Sequence, residues 1–417
     1  MVVTCVIEFD NNPFGTYFAG QMLSGKATLN ANKPKKVKAV ALKITGFAHT
    51  NWSESSTTST TDSNGGTSTK TITTYYSGHE DYIASTTYVI GSEMGLAELT
   101  IEPGTQVYNF ACQIPPNCPT SYESLHGYIR YTVKVVLIRP WKFDQTFTKG
   151  FTVLAIRDLN YEPMALPPVH AIASKTFCCW PCKSSPLQLD IDLPQTGFVP
   201  GQNIPVSILV TNDSHIPVEE MKISLAMLVI FYSQCPRSSK TEKTTVAKMK
   251  GEGVQRYCKK LFNYQLPVPA TPPSNIVSCS ILHIMYEVLV EAKIKGFHAN
   301  QVIRAPIIIG NVPLQTVVQQ QPTTSFAAQR QMPTAPTDAK MLEADESNEI
   351  AVVSTPIPWE GNGDMLPPTY EEATHMRPGK INADEKHDYG ESVFLPRYPV
   401  FSISNPTAPL AKDVPEV

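Results

Sequence analysis

Ile129-Arg130-Tyr131-Thr132-Val133-Lys134-Val135-Val136-Leu137-Ile138 is the strongest strand signal in the chain. β-Branched and aromatic residues dominate it, and neither glycine nor proline interrupts it. The same period of two recurs on either side. Cys5, Ile7 and Phe9 share one face, with Glu8 and Asp10 opposite. Leu23, Gly25, Ala27 and Leu29 face one way, and Lys26, Thr28 and Asn30 the other. Val40, Leu42 and Ile44 alternate with Lys43 and Thr45. Turn clusters such as Asn11-Asn12-Pro13 and Asn32-Lys33-Pro34 separate these runs. Further strands are expected at 82–83, 87–90, 106–112 and 147–156. Short alternating runs bounded by turn residues predict antiparallel strands in a β-sandwich.

The second half repeats the plan. Gly20-Gln21 before a strand recurs as Gly201-Gln202 before Val206, Ile208 and Val210. Phe110, the Pro115-Pro116 loop and Tyr131/Val133/Val135 recur as Phe262, the loop 267–273 and Tyr286/Val288/Val290. Two copies of one order of elements predict two similar sandwiches in tandem. Between them, Pro163 and Pro167-Pro168 suit a short, fairly stiff linker. Two segments break the pattern. Residues 53–74 are rich in Ser and Thr, lead into Asn64-Gly65-Gly66, and read as a mobile loop between two strands. After residue 312 the strand signal stops, leaving a tail that reads as disordered except for apolar islands at 366–373 and 394–401.

Composition agrees. Charged residues make up 17% of the chain and there are 36 prolines, as expected for β-rich domains plus a disordered segment. From residue 313 onward there are 15 acidic and 7 basic side chains, leaving 27 basic and 22 acidic in the body. So mild a charge does not suit nucleic acid. The opening residues have neither a basic n-region nor a long apolar core, and no run of about 18 apolar residues occurs anywhere. Nine cysteines without a leader predict reduced thiols in the cytosol.

In the tail, Pro367-Pro368-Thr369-Tyr370 reads as Pro-Pro-x-Tyr, a short ligand for WW domains. Adjacent prolines pre-set a polyproline II helix, so little entropy is lost on docking in an aromatic groove, and Tyr370 would fill the neighbouring pocket. Leu395-Pro396-Arg397-Tyr398 echoes it with leucine for the first proline. Pro396 and Tyr398 would then form a weaker second site, one ring short. Two such sites would gain avidity on a partner with several WW domains.

Several pieces together resemble the arrestin domain-containing proteins, the α-arrestins. They are Ile7-Glu8-Phe9-Asp10, Asp158-Leu159-Asn160, Lys175-Thr176-Phe177-Cys178-Cys179-Trp180-Pro181-Cys182, Gly197-Phe198-Val199-Pro200-Gly201-Gln202 and Pro367-Pro368-Thr369-Tyr370, in that order. The resemblance implies an all-β fold of two arrestin-type, immunoglobulin-like β-sandwiches: 1–158 as amino-terminal domain, 159–172 as hinge, 173–312 as carboxy-terminal domain and 313–417 as disordered tail. It also implies a non-catalytic cytoplasmic adaptor, recruited to plasma membrane and endosomes. Its arrestin fold would bind membrane receptors or transporters as cargo, and its tail would bring in HECT-type ubiquitin ligases. One branch of the family instead suggests a thioredoxin-binding redox regulator. Paired lysines that would sense receptor phosphates are absent from the first strand, so phosphate-triggered activation is not carried over.

Other chemistry is thin. Cys179-Trp180-Pro181-Cys182 has C-x-x-C spacing, but a redox centre wants a helix N-terminus and a zinc site wants a second pair. Incidental cysteines, or palmitoylation of Cys178, Cys179 and Cys182, are the expected readings. No histidine pairs with a Ser or Cys nucleophile, no phosphate loop is present, and no cofactor or metal is expected. Lys33, Lys35, Lys36 and Lys38 crowd one turn, as a solvated turn or as a peripheral contact with anionic lipid or cargo.

Overall fold

A computed structural model describes residues 3–61, 67–92, 94, 98–179, 182–183, 185–275, 277–315, 368–381 and 386–402. Gly127–Ile138 lies between Ala39–Thr61 and Gln145–Leu154, antiparallel to both. Its Val133, Val135 and Leu137 are buried, as the alternation requires. Thr67–Gly91 extends this sheet on one side, and Thr16–Phe18 adds in parallel at the other edge. A second sheet of Val3–Phe9, Met22–Ala31 and Gly104–Gln113 closes the sandwich. Leu23, Ala27 and Leu29 point into the shared core.

The second sandwich has the same plan. Val169–Lys175, Leu187–Leu193, Asn203–Asn212 and Cys258–Pro267 form one sheet. Gly197–Phe198, Gln301–Ile309, Leu282–Ile294, Val218–Gln234 and Arg237–Val254 form the other. The short parallel edge strand recurs, Gly197–Phe198 lying on Gln301–Ile309. A buried tyrosine recurs too. Tyr131 Oη donates to the Pro119 carbonyl at 2.7 Å, and Tyr286 Oη to the Pro272 carbonyl at 2.7 Å. The sequence repeat is therefore a structural one, and the proline loops supply the acceptors that let a phenol sit in each core.

The sandwiches meet near the middle of the molecule and at the hinge. Near the middle, Ser280 donates from its amide and hydroxyl to Glu80 Oε2, at 3.0 and 2.8 Å, and Thr50 Oγ1 donates to the Tyr232 carbonyl at 2.7 Å. At the hinge, the Arg157 amide donates to Asn311 Oδ1 at 2.7 Å, and Asn311 Nδ2 donates to the Ala155 carbonyl at 2.6 Å. The hinge runs as two 3-10 turns, Leu159–Tyr161 and Pro163–Ala165, the first capped by Asp158. The strand Val169–Lys175 already belongs to the second sandwich, so the linker is shorter than 159–172. Arg157 pairs with Glu162 at 2.7 Å.

Within the stretch expected as a mobile loop, residues 53–61 and 67–74 are strands, and 62–66 lie outside the described residues. Ala39–Thr61 and Thr67–Gly91 stay paired from Ser53↔Tyr75 out to Thr61↔Thr67 as an exposed two-stranded ribbon. Ser and Thr hydroxyls meet across it, Ser55–Thr73 at 2.9 Å and Thr60–Ser68 at 2.8 Å. Lack of apolar residues removes the need for a core but not the β-preference of threonine, nor the cross-strand hydrogen bonds.

Candidate functional site

The tail strip sits against the body. Thr369–Glu372 pairs antiparallel with Arg397–Val400, with Tyr370 opposite Pro399 and Glu371 opposite Tyr398. Both apolar islands of the sequence thus meet each other. Arg397 and Glu372 form an ion pair at 2.7 Å across this hairpin. Pro368 is buried and Tyr370 is half-buried, with burial pushing its phenol up to about 12. Tyr370, Met376 and Leu395 pack on a small cluster of Phe18, Leu154, Ala373 and Tyr398. Phe18 and Leu154 come from the parallel edge pair of the first sandwich, so that edge is what receives the hairpin. Pro367 lies outside the described residues.

Tyr398, expected as part of a weaker WW site, is fully buried, and Pro396 is buried beside it. Its hydroxyl donates to the Ser121 carbonyl at 2.8 Å, and burial holds its phenol far above the ordinary range. In this arrangement Tyr398 anchors the hairpin and is not presented to a partner. Phe401 plugs a second cluster of Leu159, Ala165 and Val199 from the hinge region, and its amide donates to the Pro200 carbonyl at 3.0 Å. The tail therefore bridges both sandwiches. Gly201 makes this close approach possible: a Cβ there would lie 2.1 Å from the Phe401 carbonyl oxygen.

Two polar contacts fix the strap between these anchors. Asp388 accepts from the amides of Thr148, at 3.1 Å, and Gly390, at 2.9 Å, and from the Thr148 hydroxyl. Arg130 forms a buried, two-point pair with Glu123, 2.8 Å for each contact, and gives its remaining nitrogen to the Lys380 carbonyl at 3.0 Å. Burial raises the Glu123 carboxyl, while Arg130 opposes that shift. Removing either partner would leave the other as an uncompensated buried charge.

The backbone at Cys178–Cys179 pairs with Cys182–Lys183, placing Cys179 opposite Cys182; the cysteine side chains lie outside the description. The thiols of Cys5 and Cys118 are pushed up by burial, to about 12 and about 11. Neither is poised as a thiolate. Sequence reasoning missed one cluster. His170 Nδ1 lies 2.7 Å from Asp192 and 3.4 Å from Asp190, and these three donor atoms fall within 4.8 Å of one another. His170 and Asp192 are exposed, whereas Asp190 is half-buried and its Oδ1 has no hydrogen-bond partner. Two aspartates two apart on a strand, facing a histidine on the neighbouring strand, were the signal for it.

Comparison with known proteins places these features in a family. The model of the arrestin (or S-antigen) N-terminal domain matches residues 5–160, and that of the C-terminal domain matches residues 183–314. Arrestin domain-containing protein 17 of Caenorhabditis elegans is 25% identical over 429 residues, spanning 94% of this chain and 97% of its own. Human arrestin domain-containing protein 4 is 24% identical over 312 residues, 74% of this chain and 71% of its own. Human arrestin domain-containing protein 1 is 27% identical over 210 residues, 50% and 47% of the two chains. Both arrestin domains occur in order, each with the sandwich it requires, and this chain belongs to the arrestin domain-containing proteins.

Proposed function

We propose that this chain is a non-catalytic adaptor that binds membrane cargo through its arrestin body and recruits HECT-type ubiquitin ligases through Pro367-Pro368-Thr369-Tyr370. The cargo, a receptor or transporter, is thereby ubiquitinated at the plasma membrane or endosomes and enters endocytic traffic. The fold supports the first half: arrestin-family proteins generally act as non-catalytic adaptors. What supports the second half is the Pro-Pro-x-Tyr sequence itself, whose Tyr370 is only half-buried, on the Thr369–Glu372 strand at the rim of the docked tail.

A WW domain takes its ligand as a polyproline II strip with the tyrosine ring in a pocket. Tyr370 cannot offer its ring while it packs beside Tyr398 and Leu395. Recruitment then requires 368–372 to part from Arg397–Val400, and the docked state lowers apparent WW affinity by the fraction of chains that are closed. Capture of WW-containing ligases by the full chain and by Tyr370→Ala tests the reading. The variant should lose the ligase; equal recovery by both would remove the motif from the mechanism.

A further inference from the structure

The turn joining Gly127–Ile138 to Gln145–Leu154 ends on Trp141, which is 97% exposed. Its backbone is left-handed, φ 55°, a conformation that a bulky residue adopts at a cost and that nothing in the core rewards. Phe143, two residues on, is 78% exposed. The turn itself is firmly built. Asp144 accepts from the Arg139 amide at 3.2 Å, and Arg139 Nε donates to the Phe143 carbonyl at 2.7 Å. The tip is a fixed projection that carries an indole into solvent.

The cations around it come from two distant stretches of sequence. The Lys38 amide donates to the Ile138 carbonyl at 2.7 Å, which brings the 33–38 turn beside the tip. Lys35 is close enough to Arg139 and Lys142 that, after burial, their charges lower its pKa. Lys36 is held by Glu98 at 3.0 Å, and Asp144 is turned to the Arg139 amide. Arg139 and Lys142 flank Trp141 in sequence and Lys35 lies close to both, with Lys33 and Lys38 on the adjoining turn, so positive charge gathers at the tip.

We propose that this tip is a membrane contact, in which Trp141 enters the headgroup region of an anionic bilayer and the surrounding lysines and arginine hold its phosphate and carboxylate groups. Indoles favour that interface, because one end of the ring is apolar and the other can stay wet. Juxtaposed cations add affinity that depends on anionic lipid and falls with salt. A convex tip also fits a soft surface better than a rigid partner, which would need a pocket for the indole. The contact is independent of ligase recruitment.

The test uses the full chain and unilamellar vesicles of phosphatidylcholine alone or with phosphatidylserine. The wild type should co-float with the serine-containing vesicles, and bromine-labelled acyl chains should quench its tryptophan emission. Trp141→Ser should remove the quenching and weaken binding by about tenfold, while Lys35→Glu with Lys142→Glu should lose about fivefold or more per charge. Both changes lie on the surface, and circular dichroism checks the fold. Tyr370→Ala should bind vesicles as the wild type does. Equal binding to both vesicle types, or unchanged binding and quenching in Trp141→Ser, overturns the proposal. Loss of an acidic peptide's binding in the charge-reversed variant, with vesicle binding unaltered, would overturn it in favour of a peptide site.

Discussion

Tyr398 Oη donates to the carbonyl of Ser121 at 2.8 Å, joining residues 277 apart in the chain with a phenol that no solvent reaches. This bond closes the tail hairpin on the first sandwich. Tyr398→Ala removes a large buried ring, a loss of about 3–5 kcal/mol where a site cannot collapse. The hairpin is small and peripheral, so the expected outcome is its release rather than unfolding of the body. Amide exchange should accelerate across 368–381 and 386–402 and stay slow in 129–138. In an adaptor that recruits through Tyr370, WW capture should rise. Tyr398→Phe should show a weaker form of both effects, from the loss of about 1 kcal/mol.

Gly201 supplies an independent route to the same release. Gly201→Ala meets the Phe401 carbonyl oxygen at 2.1 Å and carries an unfavourable φ of +92°. Gly104→Ala is the control: its φ is +133°, yet nothing lies within 4 Å of the added carbon. Both variants should lower the melting temperature by a few degrees through backbone strain. Only Gly201→Ala should speed exchange at the Phe401 amide, which donates to Pro200. Similar exchange in the two variants would show that Phe401 does not depend on the glycine.

The Ser/Thr ribbon should be locally, not globally, important. Replacing Ser55, Thr60, Ser68 and Thr73 with glycine removes two hydroxyl contacts and the β-preference of four residues. Each cross-strand pair contributes roughly 0.2–1 kcal/mol. Limited proteolysis within 53–74 should become several-fold faster. The melting temperature should not move, because these side chains are exposed and support no core. A large fall in melting temperature would mean that the ribbon is part of the cooperative unit.

His170 offers a pH-dependent reporter in the second sandwich. Its hydrogen bond to Asp192, then the charge of Asp190, raise its pKa above the ordinary value. The sign follows: the charged contact is complete below the unfolded pKa and is lost as pH rises through the higher folded one. The imidazole resonances should therefore titrate at a midpoint above about 6.5. Asp192→Asn should bring the midpoint down. A midpoint unmoved by that substitution would leave the 2.7 Å contact without influence on the proton.

The alternation of Leu23, Ala27 and Leu29, or of Val133, Val135 and Leu137, is a local property, and a period of two admits only a half-buried strand. The tandem plan was legible for the same reason: each half repeats its own turns and its own buried tyrosine, down to the proline loop that accepts the phenol. Composition misled at 53–74, since polarity excludes a core but not a ribbon whose hydroxyls bond to one another.

The sequence by itself determined the two sandwiches, their order and the presence of a Pro-Pro-x-Tyr strip. Each rests on residues within about ten positions of one another. Tertiary structure alone decided where that strip lies. Tyr398 reads as a second ligand until Ser121, Phe18 and Leu154 are seen around it, and Trp141 reads as one aromatic residue among many until the 33–38 turn arrives beside it. Both outcomes depend on partners brought together only by chain closure over long loops. No local pattern encodes that closure; it follows from which apolar edge remains uncovered once the sandwiches have formed.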